Sequence, residues 1–399
     1  MWIFQAELDQ KFKCYRSGDE VRGKVTFKGT GPPKPGEEDA PVTVTVALWG
    51  RTKTKLNEYD NSNYTWSTYR GRADLFRETK IVFQDRANYR GNNVYAFSLP
   101  FPVTSPITAV GTQNAKQFPA NHPLPPSMKI EHDGHTKQWE CFVEYKLIAS
   151  FVQGSTRTEI VSEHSIGFLP TAEALSRVEY EALPSDPLPA TQVIRSPLLD
   201  PANQGRDLGF REKARLALHR SDVPQHKFRV HISHPTSLIL GSAIGCKIKL
   251  VHLPRESTAP QIPSIMLGST TVELVAVTFA ATEGIFSDHN VDESRMVHQF
   301  QLNPARNFTA EEGWEKTLTS PDMLKKSEAL PTFATFNIRR AYFLKINATI
   351  WCCEKSFEVE KKTDVFVLLP PETGTQVLRP SQPIGNNSTN DETLPAYEP

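Results

Sequence analysis

Hydrophobic and polar residues alternate with a period of two along most of the chain. In the first half, the valines of residues 42–46 alternate with threonines, and every second residue of 141–151 is apolar. The second half repeats the pattern in residues 228–232, 244–250 and 344–350. A period of two is typical of half-buried antiparallel strands. Strands do not alternate with helical segments in this sequence, so a parallel sheet is not predicted. The sequence therefore predicts an all-β chain whose closely spaced strands form sandwiches or barrels.

Two interruptions of this alternation divide the chain. Residues 171–222 are rich in proline, which is typical of a linker, with a short helix predicted over residues 210–219. The flanking segments, residues 1–170 and 223–370, are the two predicted domains. The alternation stops again near residue 370, and residues 371–399 are rich in Pro, Thr, Asn and Gly. These last residues are predicted to form a disordered tail.

Composition and charge exclude several classes of protein. The chain of 399 residues holds 45 basic and 45 acidic side chains, so no broad positive surface for nucleic acid is predicted. No apolar run approaches the ~18 residues that a membrane span requires. Residues 1–13 contain no apolar stretch long enough for a signal peptide. We therefore expect a cytoplasmic protein.

Five scattered cysteines support the same compartment. None of them forms a C-x-x-C pair, so neither a disulfide framework nor a zinc site is predicted. We expect all five to be reduced thiols, and most to be small buried side chains within strands. Neighbouring residues of a strand face opposite ways, so the adjacent pair should not bridge easily. The cysteines are Cys14, Cys141, Cys246, Cys352 and Cys353.

Candidate catalytic chemistry is sparse. Residues 132–135 (His-Asp-Gly-His) are the only local cluster of metal-capable side chains, and Asp-Gly between two strands predicts a hairpin turn instead. The serines of residues 17–19 and 241–242 lack the context of a nucleophile elbow. The glycines of residues 29–33 have no lysine at the offset that a phosphate-binding loop requires. The sequence therefore predicts a protein that is not an enzyme, with no catalytic residue, cofactor or metal.

Four segments of the first half, taken in order, resemble the N-terminal domain of the arrestin family, in particular fungal arrestin-like (α-arrestin) proteins. They contain a tyrosine before a turn and a later glycine, a strand ending Leu-Trp-Gly, a strand ending Phe-x-Leu-Pro, and Leu-Pro-Pro-Ser followed by Tyr-x-Leu-x-Ala. The segments are residues 15–25, 42–50, 94–100 and 124–149.

The second half is similar to an arrestin C-terminal domain. Residues 240–251 and 272–279 resemble its first strands, and residues 338–346 with 357–359 resemble its last ones. The resemblance covers most of residues 1–370. It implies two consecutive immunoglobulin-like β-sandwich domains of the arrestin type. No charged core of the kind that senses phosphate in visual and β-arrestins is found, so recognition of phosphorylated receptors is not carried over.

The tail contains a variant of the Pro-Pro-x-Tyr motif that arrestin-like adaptors carry. It reads Leu394-Pro395-Ala396-Tyr397, with leucine in place of the first proline. Leu394 and Pro395 favour polyproline II, which a WW domain accepts in an aromatic groove while a second pocket takes the ring of Tyr397. Leu394, Pro395 and Tyr397 are therefore the predicted WW-domain binding residues.

The resemblance implies an adaptor that links membrane transporters or receptors, through their cytoplasmic tails, to a HECT-type ubiquitin ligase with WW domains. Ubiquitination and endocytosis of the cargo would follow. The resemblance also implies that the adaptor is recruited from the cytoplasm to the plasma membrane or endosomes, and it is compatible with peripheral membrane association. The alternative is an arrestin-fold sorting scaffold or coat component, as in retromer, without a ligase. An extracellular sandwich enzyme or adhesin conflicts with the unpaired cysteines.

Overall fold

The computed structural model describes most of the chain and confirms that it is all-β. In the parts that it describes, the only helical elements are short 3-10 segments at Pro197–Leu199, Pro201–Asn203 and Pro254–Glu256. No helix among them is long and apolar enough to cross a membrane. The described residues are 2–11, 13–29, 41–86, 92–105, 122–153, 158–171, 191–203, 209, 223–282, 289–302, 306–310, 312–325 and 329–370.

The first half folds into a sandwich of two sheets. One sheet has the strand order β1-β3-β6, and the other has the order β2-β9-β8-β4-β5 with β7 paired to β8. Apolar residues of both sheets form one hydrophobic core. The strands are β1 (Trp2–Leu8), β2 (Cys14–Tyr15), β3 (Glu20–Gly29), β4 (Pro41–Asp60), β5 (Thr65–Arg86), β6 (Asn93–Pro100), β7 (Met128–Asp133), β8 (Lys137–Gln153) and β9 (Thr158–Phe168).

The second half forms another sandwich with its own core. One sheet has the order β10-β11-β13-β17. The other has the order β12-β20-β19-β14-β15, with β16 paired to β14 and β18 to β19. The strands are β10 (Thr191–Arg195), β11 (Gln225–Ser233), β12 (Ser237–Ile239), β13 (Ala243–His252), β14 (Ile265–Thr282), β15 (His289–Leu302), β16 (Arg306–Asn307), β17 (Glu315–Met323), β18 (Phe333–Ala334), β19 (Ile338–Cys352) and β20 (Lys355–Leu368).

The alternation in β8 shows how the sequence produces a strand with one buried face. Every second residue from Trp139 to Phe151 is buried, as the period of two requires. At the centre, the hydroxyl of Tyr145 donates a hydrogen bond to the carbonyl of Pro125 at 2.7 Å. Gly50 lies beside this ring, and a Cβ there would stand 2.7 Å from Tyr145 and 2.7 Å from Phe76. Position 50 is therefore glycine because the two buried aromatic rings leave no room for a side chain there.

One domain boundary differs from the sequence prediction. Residues 171–222 were expected to be a linker, yet β10 lies within them and pairs antiparallel with β11 from Thr191 to Arg195. The second sandwich therefore begins before residue 223. The predicted helix over residues 210–219 and the tail, residues 371–399, lie outside the described residues.

The two sandwiches share buried contacts. Ala280, Val291, Phe333 and Ile338 of the second half belong to the hydrophobic core of the first. Beside them, Asn337 accepts a hydrogen bond from the hydroxyl of Thr52, and the carbonyl of Ala281 accepts one from the hydroxyl of Thr54. The halves are therefore joined by a packed and hydrogen-bonded junction.

The cysteines are free thiols, as predicted, and Cys353 is the one that differs from the prediction. Cys14 is exposed, whereas Cys141, Cys246 and Cys352 are buried. Cys353 is not in the strand: it begins a two-residue turn, with φ of 49° followed by 64° at Glu354. This turn places the sulfurs of Cys352 and Cys353 3.8 Å apart instead of on opposite faces. Burial raises the pKa of both thiols.

Candidate interaction surface

A long hairpin on the first sandwich carries a row of cations along one face. β4 and β5 pair from Pro41–Arg86 to Asp60–Thr65, and alternate residues of both strands face solvent. Near the middle of the hairpin Trp49 lies opposite Arg77, and Tyr59 lies opposite Trp66 near the tip. Over these 11 positions of β4 the face is about 33 Å long, at about 3.3 Å per residue. This cationic stripe consists of Trp49, Arg51, Lys53, Lys55, Asn57 and Tyr59 of β4, with Trp66, Thr68, Arg70, Arg72, Asp74 and Arg77 of β5.

A β-bulge keeps the charges of β5 on one face. The pairing shifts between Gly50 and Arg51, so that both Leu75 and Phe76 are buried. An extra residue in one strand re-aims the side chains that follow it. Because of the bulge, Arg77 lies on the same face as Asp74 although the two are three positions apart in the sequence.

Trp49 is surrounded by guanidinium groups. The Cζ atoms of Arg51, Arg72 and Arg77 lie 4.2, 4.6 and 5.6 Å from its ring centre. Its indole Nε1 donates a hydrogen bond to Asp74 at 3.0 Å. Cations within about 6 Å of an indole face are attracted by the ring quadrupole, so Trp49 holds together three side chains that would otherwise repel each other.

The adjacent strand β8 supplies the compensating carboxylates. The carboxylate of Glu144 accepts a hydrogen bond from the guanidinium group of Arg51, which is nearly buried. The same carboxylate forms an ion pair with Lys53 at 2.7 Å. Partial burial of Glu144 opposes its ionisation, but the hydrogen bonds from Lys53 and Arg51 outweigh this effect and lower its pKa. Glu140 lies 3.7 Å from Lys55. The two carboxylates therefore hold the inner cations of the stripe in place.

The outer edge of the stripe has a surplus of positive charge. Asp74 accompanies Arg72 at 3.7 Å, whereas Arg70 and Arg77 form no ion pair with any described residue. Six cations therefore face three carboxylates, which leaves an excess of three positive charges. Free guanidinium groups in a fixed row can form charge-assisted bidentate hydrogen bonds with carboxylates or phosphates.

The tip of the hairpin is aromatic and ordered by Asp60. The carboxylate of Asp60 accepts hydrogen bonds from the backbone and hydroxyl of Ser62, and these bonds lower its pKa. The rings of Tyr59 and Trp66 are 5.3 Å apart, and Tyr64 is 80% exposed. The turn that joins β4 and β5 occupies only the four residues 61–64.

A groove of about 580 Å³ adjoins the stripe at Lys55 and Asn57. Its other wall is formed by Glu131, His132 and Asp133 of β7 and by the start of β8. The turn predicted at residues 132–135 is confirmed, because β7 and β8 pair directly on either side of it. His132 approaches Glu293 at 3.1 Å, and no group of three metal-capable side chains occurs among the described residues.

The sequence-predicted binding residues Leu394, Pro395 and Tyr397 lie outside the described residues. The stripe was not predicted, because its basic residues are separated by 26 positions of hairpin between Arg51 and Arg77. Only the strand register brings them together. The one available signal was the regular spacing of basic residues within residues 51–55 and 70–72.

Comparisons with known proteins do not assign a family. No family model matches the chain, and no curated protein matches it. Among solved structures it is similar to Spo0M, a sporulation control protein from Bacillus subtilis, with a TM-score of 0.23, 11% identity, and coverage of 74% of this chain and 90% of that one. It is also similar to a marsupial T cell receptor, with a TM-score of 0.16, 8% identity, and coverage of 92% and 72%.

Proposed function

We propose that the protein is an arrestin-like adaptor without catalytic activity of its own. Its body binds the cytoplasmic tail of a membrane transporter or receptor, and the motif at Leu394–Tyr397 recruits a HECT-type ubiquitin ligase through a WW domain. The observation that carries the first part is the cationic stripe, which has three positive charges in excess along its length and three guanidinium groups around Trp49.

The shape of the stripe favours an extended acidic peptide as the cargo segment. A length of about 33 Å accommodates roughly ten residues of extended chain. Arg70 and Arg77 are available for carboxylates, while Tyr59 and Trp66 offer aromatic surface at the far end. Charged contacts of this kind give specificity and a fast association rate more than raw affinity.

Linking this surface to a ligase-binding motif requires no new chemistry. A second binding module on the same chain raises the effective concentration of the ligase near the cargo. Proline at position 395 preorganises the peptide and lowers the entropy cost of binding. Leucine at position 394 removes part of that preset conformation, so the contact is expected to be weaker than that of a Pro-Pro start.

The cargo surface is tested by fluorescence anisotropy with a labelled ten-residue Asp/Glu-rich peptide. Arg70→Ala with Arg77→Ala should weaken binding at least tenfold, because both guanidinium groups are free to pair. The matched control is Arg22→Ala with Lys24→Ala, which removes two charges from strand β3, where both are already paired with acids. Equal affinities of the two double variants would contradict a role for the stripe.

The ligase link is tested separately with a peptide of residues 388–399. Its affinity for WW domains of HECT ligases should fall strongly on Tyr397→Ala, because the ring fills one of the two pockets. If the two peptides bind equally, or neither binds, the sorting scaffold without a ligase becomes the better description.

A further inference from the structure

A second basic surface lies on the other sandwich, far along the chain from the stripe. The solvent face of the sheet β10-β11-β13-β17 presents five cations on three neighbouring strands. β10, β11 and β13 contain no aspartate or glutamate at all. This basic sheet face consists of Arg195, Lys227, Arg229, Lys247 and Lys249, with His231 between them.

Few acids compensate this charge. Lys227 pairs with Glu256 at 3.4 Å and Lys247 with Glu315 at 3.1 Å. Arg229 donates only to the hydroxyl of Thr191, and Lys249 forms no ion pair with a described residue. Five cations and two carboxylates leave three positive charges in excess. In contrast, Arg22 and Lys24 on the solvent face of β3 each have an acidic partner.

The central cations of this face share few acidic neighbours. Lys249 lies between His231 of β11 and Glu315 of β17, and the carboxylate of Glu315 contacts Lys247 at 3.1 Å. Arg229 lies diagonal to Lys249 on the same face and directly opposite Val251. Cross-strand pairs of opposite charge stabilise a sheet, but a single carboxylate here lies beside two lysines. The excess positive charge of this face is therefore available to the anions of a binding partner.

The geometry favours a surface over a peptide as that partner. β11 and β13 are hydrogen-bonded on both sides, so an extended peptide cannot add as a strand beneath the central charges. The cations spread over three strands, about 10 Å across at about 4.8 Å between strands. Val193, which is 48% exposed, and Val251, 37% exposed, lie among them. A flat cationic array with small apolar side chains matches an anionic bilayer surface.

We propose that the basic sheet face docks onto a membrane surface rich in anionic lipid. The lipid phosphates and carboxylates pair with Arg229 and Lys249, and the two valines contact the headgroup region. The inference is independent of the WW motif and of the cationic stripe, and the variants that test it leave both unchanged.

The test is co-sedimentation of the full chain with vesicles. The chain should bind vesicles of phosphatidylcholine with 30% phosphatidylserine, and not vesicles of phosphatidylcholine alone, with binding that falls as salt rises. Each basic residue near such a surface contributes about fivefold to partitioning, so Arg229→Gln with Lys249→Gln should reduce binding about 25-fold. Lys345→Gln with Lys362→Gln, on the opposite sheet, is the matched control and should bind like the unmodified chain.

Three results would overturn the proposal. The first is equal binding to neutral and anionic vesicles, and the second is equal loss in the two double variants. The third is binding of a soluble acidic peptide that requires Arg229 and Lys249 while anionic vesicles do not bind. Thermal unfolding by circular dichroism checks that all variants are folded.

Discussion

Lowering the pH from 7.5 to 5.0 should destabilise the second sandwich through a buried pair of histidines. His226 Nε2 and His252 Nδ1 lie 2.9 Å apart, so one ring donates a hydrogen bond to the other. Phe228 stacks on His226, and Trp314 contacts the ring of His252 at 4.3 Å. Burial, with a smaller effect of His252, lowers the pKa of His226 to about 4. Burial also lowers the pKa of His252.

The sign and size follow from proton linkage. Above pH 6.5 both the folded and the unfolded state hold neutral histidine, so the group has no effect on stability. As the pH falls from 6.5 towards 4, the unfolded state binds a proton that the folded state does not, and stability is lost. For a pKa of about 4 in the folded state, His226 costs about 2 kcal/mol at pH 5.0 relative to pH 7.5.

Urea denaturation at the two pH values, followed by fluorescence and circular dichroism, measures this loss. The difference in the free energy of unfolding between pH 7.5 and pH 5.0 should be about 2 kcal/mol smaller in His226→Gln than in the unmodified chain. His231→Gln removes an imidazole from the solvent face of the same strand and serves as the control. If His226→Gln keeps the full pH dependence while remaining folded, the buried pair does not stay neutral and the reasoning fails.

Two further changes test the core of the first sandwich. Gly50→Ala should destabilise the protein by about 2 kcal/mol, because its Cβ would meet the rings of Phe76 and Tyr145 at 2.7 Å; an unchanged melting temperature would contradict that contact. Tyr145→Phe should cost about 1 kcal/mol in urea denaturation, because the carbonyl of Pro125 loses its hydrogen bond; a neutral result would mean that water replaces the hydroxyl.

The all-β class could be predicted from the sequence because core-facing residues alternate so regularly. In β8 seven consecutive alternate positions from Trp139 to Phe151 are buried, and this pattern is visible without any tertiary information. β10 was missed because only one of its five residues, Ile194, is buried, and prolines surround it. A strand at the edge of a sheet with a single core residue leaves too weak a pattern to distinguish it from linker.

The candidate site could not be predicted for a different reason. The row from Arg51 to Lys55 was visible, but its partners Arg70 and Arg72 become neighbours only through the register of the hairpin. The bulge at Leu75 then shifts the alternation by one residue, which hides Arg77 from a simple period of two. Cys353 gave a similar error, because nothing in the sequence shows that β19 ends one residue before it.

The junction between the sandwiches also has a mechanical consequence. Ala280, Phe333 and Ile338 are inserted into the neighbouring core, and Asn337 is bonded across the boundary. Bending the two halves apart would expose these apolar side chains and break buried hydrogen bonds together, so small rotations meet stiff resistance. The two sandwiches are therefore expected to move together as one rigid unit. The exposed face of β4 and β5 therefore keeps a fixed distance from Leu368, the residue at which the last strand ends.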